Sequence, residues 1–324
     1  LHAARLTDIG ALTVEDAPIP TPGTDDVLIK IEDCALCRTD AKMLKMGHRD
    51  LELPRILGHE VYGNVEETGE PVVVWPGVAC GECAQCQRGA TNLCRAMRII
   101  GFHRDGGLAE YLSAPRRSLV SVPGDLPGHL ACLAEPLACG INALEQLDLK
   151  TGETLLIFGA GPVGLLMAMA ARAVGAIPTI RDIAVDKRDR TRLFRRRIDA
   201  DWFDPSDDRR FDAAVNAAPA TSAFIDGLKH LSPGGRFCIF SGLTDGGAVD
   251  AAILNEIHYR QLVITGAYGC TAPQMARALD ILTGHATAAE LLVEDRIPLA
   301  DVPSALPKLL SGNRFKIVVD IDRS

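Results

Sequence analysis

Residues 154–174 read TLLIFGAGPVGLLMAMAARAV. An apolar segment, Thr154–Phe158, runs into the turn Gly159-Ala160-Gly161-Pro162-Val163-Gly164, and an apolar helical stretch follows from Pro162 to Val174. The order strand, glycine turn, helix is what gives a GxGxxG pattern its meaning. Gly159 permits the tight turn, Gly161 leaves the backbone bare where a pyrophosphate would approach, and Gly164 lets the helix sit close to the strand. Pro162 and Val163 open a helix whose N-terminus offers free N–H groups and the positive end of its dipole to phosphate. A dinucleotide is therefore the expected ligand, with Gly159, Gly161, Pro162, Val163 and Gly164 as its cradle.

Downstream, Asp182–Asp186, Phe211–Asn216, Arg236–Ser241 and Leu262–Tyr268 are further strand candidates, several of them separated by helical segments. Alternating β and α predicts a doubly wound parallel sheet of Rossmann type, covered on both faces. Such a sheet places an acidic residue at the end of its second strand to hold the adenosine ribose. Asp182 lies nearer the usual distance from Gly164. Asp186 better ends a strand Ile183–Val185, with Ile177–Arg181 read as an extended loop, and Asp186 is the preferred candidate. An acid there predicts NAD, because it repels a 2′-phosphate. Lys187 and Arg188 follow at once and leave NADP open.

Upstream of residue 130 the texture is different. Val27–Ile31 follows the turn residues Pro20, Pro22 and Gly23, and Val61–Val65, Pro71–Trp75, Gly106–Leu112 and Leu119–Pro123 continue a run of short strands. Leu130–Gln146 then has helical spacing, with Leu133, Leu137, Ile141 and Leu144 on one side. After Gly269 come a helix, Pro273–Leu282, and a strand-like tail, Arg314–Ile321.

Four of the ten cysteines fall close together: Cys80, Cys83, Cys86 and Cys94. The spacing C-x2-C-x2-C-x7-C can wrap one zinc tetrahedrally with no open position, so the expected site is structural and pins a loop with little core of its own. An iron–sulfur cluster or four free thiols are the rival readings, and a nucleotide domain of this kind needs no electron relay. A second set is spread out: Cys37 in Cys34-Ala35-Leu36-Cys37-Arg38-Thr39-Asp40, His59 and Glu60 in Leu57-Gly58-His59-Glu60, and Glu135 in Ala134-Glu135-Pro136-Leu137. Singly these are ordinary residues. Together they supply the sulfur, nitrogen and oxygen donors of a zinc site that keeps one position for water or substrate. Cys34 is the weaker candidate of its pair, and Cys132 and Cys139 read as small core residues.

The bulk properties exclude other classes. At 324 residues, 47% hydrophobic and 23% charged, the chain is globular and long enough for two domains. A net charge of -8 argues against a nucleic-acid binder. The basic run Lys187–Arg197 reads as a solvated helix face. The apolar stretch Leu165–Val174 is broken by Arg172 and ended by Gly175, too short to span a bilayer. The first ten residues, LHAARLTDIG, show no signal-peptide pattern, so a cytoplasmic location is expected.

Taken together, these motifs resemble the zinc-containing branch of the medium-chain alcohol dehydrogenase superfamily, nearest to its polyol members, the sorbitol and threonine dehydrogenases. The resemblance covers almost the whole chain. It includes Gly106-Gly107-Leu108-Ala109-Glu110-Tyr111, Ser232-Pro233-Gly234-Gly235-Arg236 and His258-Tyr259-Arg260 besides the segments above. It implies an α/β fold: a mostly β, GroES-like catalytic domain over residues 1–138 with a structural zinc lobe at 80–94, a Rossmann domain over 139–269, and a segment 270–324 returning to the catalytic domain. It implies that Cys37 and His59 bind a catalytic zinc, that Glu60 and Glu135 compete for the third position, and that Thr39 passes the alcohol proton outward, with His48 as a next relay partner. Ethanol-type members carry cysteine where Glu135 stands, which argues against a simple ethanol dehydrogenase. The implied reaction moves a hydride between NAD(P) and a secondary alcohol or ketone, a polyol, sugar alcohol or cyclitol. Alternatives are an amino-sugar or amino-alcohol dehydrogenase and a zinc-independent quinone or enoyl reductase. Relatives pair through the sheet edge near Leu262–Tyr268, so a homodimer or homotetramer is expected. The chain departs from the pattern at Glu67-Thr68-Gly69-Glu70-Pro71, where the family has a longer stretch, at the Ile177–Arg181 extension, and at Ala217-Ala218-Pro219, where many relatives have a glycine-containing turn.

Overall fold

A computed structural model describes residues 1–204, 206–244 and 246–322. The chain divides into two units, Leu1–Ala138 with Cys270–Ser324, and Cys139–Gly269.

The second unit is built on a six-stranded parallel sheet, ordered Asp201–Trp202, Ile177–Arg181, Thr154–Phe158, Phe211–Asn216, Leu231–Ile239, Val263–Gly266. Thr154–Phe158 comes first in the chain and lies inside the sheet. The winding proceeds outward from it in one direction and then, from Phe211–Asn216, in the other. This is the doubly wound Rossmann arrangement, in which ligands bind where the winding reverses, beyond the carboxyl ends of the strands. Leu155–Phe158 are all buried, which explains a strand apolar on both faces. Phe158, Phe203, Phe211, Phe224 and Phe237 form much of one core, with the Phe224 and Phe237 rings edge to face at 5.2 Å.

One expected strand is corrected. Ile177–Arg181 is not a loop but the second strand, paired in register with Thr154–Phe158 from Thr154↔Ile177 to Phe158↔Arg181. Asp182–Asp186 is not a strand: Ile183 and Val185 are 92% and 85% exposed, and Asp186 begins a short helix, Asp186–Arg190. The polar residues Thr179 and Arg181 masked a strand whose middle, Pro178–Ile180, is buried. The basic run forms this helix and the next, Arg192–Arg197, with Arg192, Arg196 and Arg197 exposed. Arg195 is the exception. It is buried, donates to Thr191 Oγ1 and to the Arg188 carbonyl, and lies 5.2 Å over the Trp202 ring.

The first unit is mostly β. Its main sheet runs Leu119–Ser121, Pro71–Val74, Glu60–Val65, Asp26–Ala35, Lys316–Asp320, Val293–Pro298, with Tyr111–Pro115 also paired to Asp26–Ala35. A three-stranded sheet joins Ala11–Asp16, His2–Asp8 and Arg55–Ile56. The shortened segment after Glu66 is a tight hairpin. Thr68 and Gly69 both donate to the Val65 carbonyl, at 3.2 and 2.7 Å, so the two flanking strands pair without the longer connection. The C-terminal strand Lys316–Asp320 runs antiparallel to Asp26–Ala35 and sets Val318 opposite Ala35, which itself faces Glu60. Residues more than 250 positions apart in the chain thus share one row of the sheet. No helix among the described residues is long and apolar enough to cross a membrane.

Candidate functional site

In the first unit, the strand Asp26–Ala35 ends just before Cys37, which caps the helix Arg38–Met46. The Cys37 sulfur accepts the Thr39 N–H at 3.4 Å, and Asp40 Oδ2 accepts the Cys37 N–H at 3.2 Å. This reciprocal cap fixes the cysteine at the helix N-terminus. The other Asp40 oxygen meets His59 Nδ1 at 3.1 Å, and Asp40 is wholly buried. With Nδ1 committed to Asp40, His59 has only Nε2 left to offer a ligand, the usual device for orienting a metal-binding imidazole. Burial works against a charged His59, but the Asp40 carboxylate and Cys37 outweigh it and hold the imidazole well above its ordinary value. Gly58, at φ +96°, makes the bend before His59; a Cβ there would come within 2.9 Å of Cys34 Sγ and of the Leu108 backbone.

Glu60 follows as the first residue of its strand and is fully buried. Both its oxygens accept from Lys316 Nζ, on the returning C-terminal strand. Burial pushes the Glu60 carboxyl up to about 7 against the pull of Lys316. Burial likewise opposes the Lys316 ammonium, yet the Glu60 carboxylate holds it above its ordinary value. One donor atom each from Cys37, His59 and Glu60 lies within 4.8 Å of the others. Zinc bonds of about 2.0–2.3 Å need donors roughly 3.3–3.8 Å apart, so small side-chain adjustments would bring these three onto one ion. Glu135 is not in this set. Its carboxylate falls within 4.8 Å of the Cys270 sulfur instead, although its charge adds to the upward push on Glu60. Burial drives the Cys34 and Cys132 thiols well above their ordinary range, in keeping with packing roles.

Thr39 is half-buried on the first turn of the capped helix, and its hydroxyl makes no hydrogen bond among the described residues. His48 Nδ1 accepts the Asp50 N–H at 3.2 Å, so only its Nε2 is open to a relay. The buried Phe102 ring lies 5.4 Å from both the His48 and His59 rings and forms an apolar wall against the metal-type histidine.

The four-cysteine lobe closes on itself. The sulfur separations are 3.5 Å for Cys83–Cys86 and for Cys80–Cys94, 3.9 Å for Cys80–Cys86 and 4.0 Å for Cys83–Cys94. A tetrahedron of sulfurs at about 2.3 Å from zinc has edges of about 3.8 Å. The donor set and its spacing fit a closed zinc site. Only short elements surround it, Ala84–Gln87 and Thr91–Leu93, neither with a buried residue, so little else holds the lobe together. Cys83→Ser is expected to lose one metal per chain and to lower the denaturation midpoint. Metal analysis and denaturant melts would check this, and an unchanged melt in a metal-depleted variant would refute a structural role.

In the second unit the glycine turn leaves the end of Thr154–Phe158. Its three glycines have separable reasons. Gly159 sits at φ +122°; a Cβ on Gly164 would come 1.9 Å from the Gly159 carbonyl oxygen; a Cβ on Gly161 would touch nothing within 4 Å. No protein neighbour therefore requires glycine at 161, and the bare backbone there leaves room for something outside the chain. Gly161 also caps the helix Pro162–Ala173 without any side-chain hydrogen bond, which leaves first-turn N–H groups for an anion. Gly164→Ala is accordingly expected to prevent folding of this unit, whereas Gly161→Ala should fold normally and lose dinucleotide affinity by about tenfold or more. Circular dichroism and calorimetric titration separate the two outcomes.

The structure separates the two acidic candidates. Asp186 is exposed on its short helix and pairs with Arg190 at 3.7 Å. Asp182, which directly follows the second strand, is the carboxylate that meets the glycine turn: its Oδ2 accepts the Ala160 N–H at 2.7 Å. The substitution of roles follows from the strand correction, since the carboxylate at the end of Ile177–Arg181 lies beside the end of Thr154–Phe158. At the departure Ala217-Ala218-Pro219, Ala217 donates to the Phe158 carbonyl at 2.8 Å. The preceding Asn216 is fully buried and ties this loop to the next strand, donating to the Ser241 carbonyl at 2.8 Å and accepting the Phe240 N–H at 2.8 Å.

Sequence reasoning passed over Asp40, Lys316, Phe102 and Asn216. Two of them carried a signal. Asp40 stands three residues after Cys37, the spacing of a capping box, and Lys316 is a lone charge entering the apolar run Ile317–Val319.

Comparison with known proteins adds the following. Residues 23–124 match the family model of the alcohol dehydrogenase GroES-like domain. An uncharacterised zinc-type alcohol dehydrogenase-like protein of Haemophilus influenzae is 40% identical over 182 residues, a stretch covering 53% of each chain. A D-altritol 5-dehydrogenase of Agrobacterium fabrum is 30% identical over 93% of this chain and 94% of its own. A solved zinc-binding dehydrogenase of Sinorhizobium meliloti 1021, with NADP bound, superposes with a TM-score of 0.88 at 31% identity, covering 99% of both chains.

Proposed function

Because this chain belongs to the zinc-containing medium-chain alcohol dehydrogenase superfamily and resembles its polyol dehydrogenases, we propose that it moves a hydride between NAD(P) and a secondary alcohol or ketone, with a polyol, sugar alcohol or cyclitol as substrate. The observation that carries the metal-dependent reading is the convergence of Cys37, His59 and Glu60 within 4.8 Å, with His59 oriented by Asp40. Cys37 Sγ, His59 Nε2 and a carboxylate, Glu60 in direct reach and Glu135 as the competitor, would hold the catalytic zinc; Cys80, Cys83, Cys86 and Cys94 would hold the structural one. Zinc bound at the first site supplies Lewis acidity toward the substrate oxygen, and the nicotinamide supplies the hydride acceptor or donor.

The chain's own residues do the rest. Asp40 keeps the His59 ring in one tautomer and one orientation. Lys316 anchors Glu60, its ammonium donating to both carboxylate oxygens. The Thr39 hydroxyl accepts the substrate's proton and passes it outward, with His48 Nε2 as the next acceptor. Phe102 excludes water beside His59. The Gly159–Gly164 turn and the Pro162–Ala173 helix would hold the pyrophosphate, and Asp182 would face the adenosine ribose.

A hydride-transfer assay over a panel of polyols, sugar alcohols, cyclitols and amino alcohols, run with and without chelator, tests this reading. Turnover with at least one polyol that is lost on chelation is the expected result. Chelator-insensitive reduction of a quinone or enoyl substrate would replace it with the zinc-independent alternative. A homodimer or homotetramer is proposed as well. Its support is the edge position of Val263–Gly266 and the exposure of Val263 and Tyr268, 54% and 48%; light scattering would check it. A cytoplasmic location is proposed because the clustered cysteines read as metal ligands rather than disulfide partners, which suits a reducing compartment.

A further inference from the structure

The loop that carries Phe102 is held by an arginine outside the metal-type cluster. Arg55 opens the short strand Arg55–Ile56, four residues before His59. Its Nε donates to the Phe102 carbonyl at 3.1 Å and to the Glu52 carbonyl at 3.0 Å, and its Nη1 donates to Asp105 Oδ1 at 2.9 Å. That Asp105 oxygen also accepts the Ile56 N–H at 3.1 Å, and the Phe102 carbonyl also accepts the Glu52 N–H at 3.0 Å. One guanidinium thus joins residues 102–105 to the segment that runs into His59. The Arg55 side chain is 15% exposed, so water screens its ion pair little. The neighbouring Arg98–Glu52 pair is nearly half exposed on both sides and contributes little. The loop also packs tightly on the bend before His59: a Cβ on Gly106 would come 2.2 Å from the Gly58 carbonyl oxygen, and one on Gly101 2.9 Å from the same atom. The buried Phe102 ring has few staggered settings, so where its main chain is held decides where the ring lies. It lies 5.4 Å from both the His48 and His59 rings.

We propose that Arg55 is a positioning residue for the Cys37–His59 site: by holding the Phe102 carbonyl it fixes the ring that walls the space beside His59, and so sets which length of polyol is accepted there. The inference rests on the alcohol dehydrogenase reading of the Cys37, His59 and Glu60 cluster. Arg55 acts on the reaction only through Phe102. Sites are sensitive on this scale: a displacement of about 1 Å can cost about a hundredfold in rate, and one methylene in a pocket is worth about tenfold or more.

Two measurements on the metal-loaded enzyme test it: kinetics with the shortest and the longest polyol that wild type turns over in the panel above, and amide hydrogen exchange. Arg55→Met is expected to keep its metal content and to change the ratio of kcat/KM between the two polyols by about fivefold or more. It should also speed exchange of the Glu52 and Ile56 amides, whose acceptors Arg55 holds. Phe102→Leu should shift the same ratio, and the double variant should shift it no further, because the arginine works through the ring. Arg55→Lys keeps a charge opposite Asp105 but gives up the forked donors, so it should melt near wild type and select like Arg55→Met. Should Arg55→Met fail to fold, Arg55→Lys and Asp105→Asn carry both measurements. A wild-type ratio in folded Arg55→Met, or additive shifts in the double variant, would overturn the proposal and leave the functional reading standing. Failure of wild type to turn over any polyol would overturn the functional reading, and unchanged exchange in Arg55→Met would overturn this proposal on its own.

Discussion

Cys37→Ala is expected to lower turnover by about a thousandfold or more, to remove one metal per chain, and to leave the fold intact. The magnitude follows from the chemistry. Loss of a Lewis acid at the reacting oxygen removes several kcal/mol of transition-state stabilisation, and about 4 kcal/mol is a thousandfold in rate. The fold is expected to survive because Cys37 is only half-buried at a helix N-cap, and the cap's second bond uses its main-chain N–H. What is lost locally is the weak contact from the Thr39 N–H to sulfur. A Cys37→Ser control would keep a capping oxygen and still lack the thiolate, so it should resemble the alanine variant in activity and wild type in stability. Metal analysis, a melt and a steady-state assay on the three proteins decide it. Near-normal turnover in Cys37→Ala would remove the open site from the mechanism.

Lys316→Met is expected to cost about 3–5 kcal/mol of stability. Glu60 is fully buried, and Lys316 is 4% exposed with its ammonium on both carboxylate oxygens. Removing the lysine leaves the Glu60 carboxylate without its counter-charge in a dry site, where it is carried uncompensated or must take up a proton, and either costs more than the net value of the pair itself. The double variant Lys316→Met, Glu60→Gln should therefore recover most of the loss, because an amide in place of the carboxylate removes the uncompensated charge. Chemical denaturation of wild type, the two single variants and the double variant forms the cycle. Additive single effects, with no recovery in the double variant, would show that Lys316 matters only as filler in the sheet. Because the lysine comes from the C-terminal strand and the glutamate from the segment after His59, this pair also ties the returning strand to the site.

How much of this was legible in the sequence varied with how local the cause was. The glycine turn was readable because each glycine answers to a neighbour close in the chain or to open space: Gly164 to the Gly159 carbonyl, Gly161 to no protein atom at all. The four-cysteine lobe was readable for the same reason, all four sulfurs coming from residues 80–94. Membership of Cys37, His59 and Glu60 in one cluster was anticipated from residue types, but their meeting depends on the pairing of Asp26–Ala35 with Glu60–Val65.

The misplacement of the second strand shows where local reading stops. Ile177–Arg181 mixes polar and apolar residues and looked like a loop, whereas Ile183–Val185 looked like a strand; the parallel ladder with Thr154–Phe158 reversed both. That single shift makes Asp182, rather than Asp186, the carboxylate beside the glycine turn, with Lys187 against it. Glu135 is a second case, since a carboxylate at the start of a helix can face several neighbours and the packing set it beside Cys270 rather than in the Cys37 cluster.

Contiguous residue types and spacings, then, were enough to point to the fold class, the glycine turn and the four-cysteine lobe, because backbone geometry and donor chemistry are properties of short segments; the spread-out set kept Cys37, His59 and Glu60 and lost Glu135 only once the strands had paired. The partners Asp40–His59 and Glu60–Lys316 came only with the folded chain. Such pairs are chosen by strand register and burial, which bring charges from separate elements to contact distance and which no short stretch of sequence encodes.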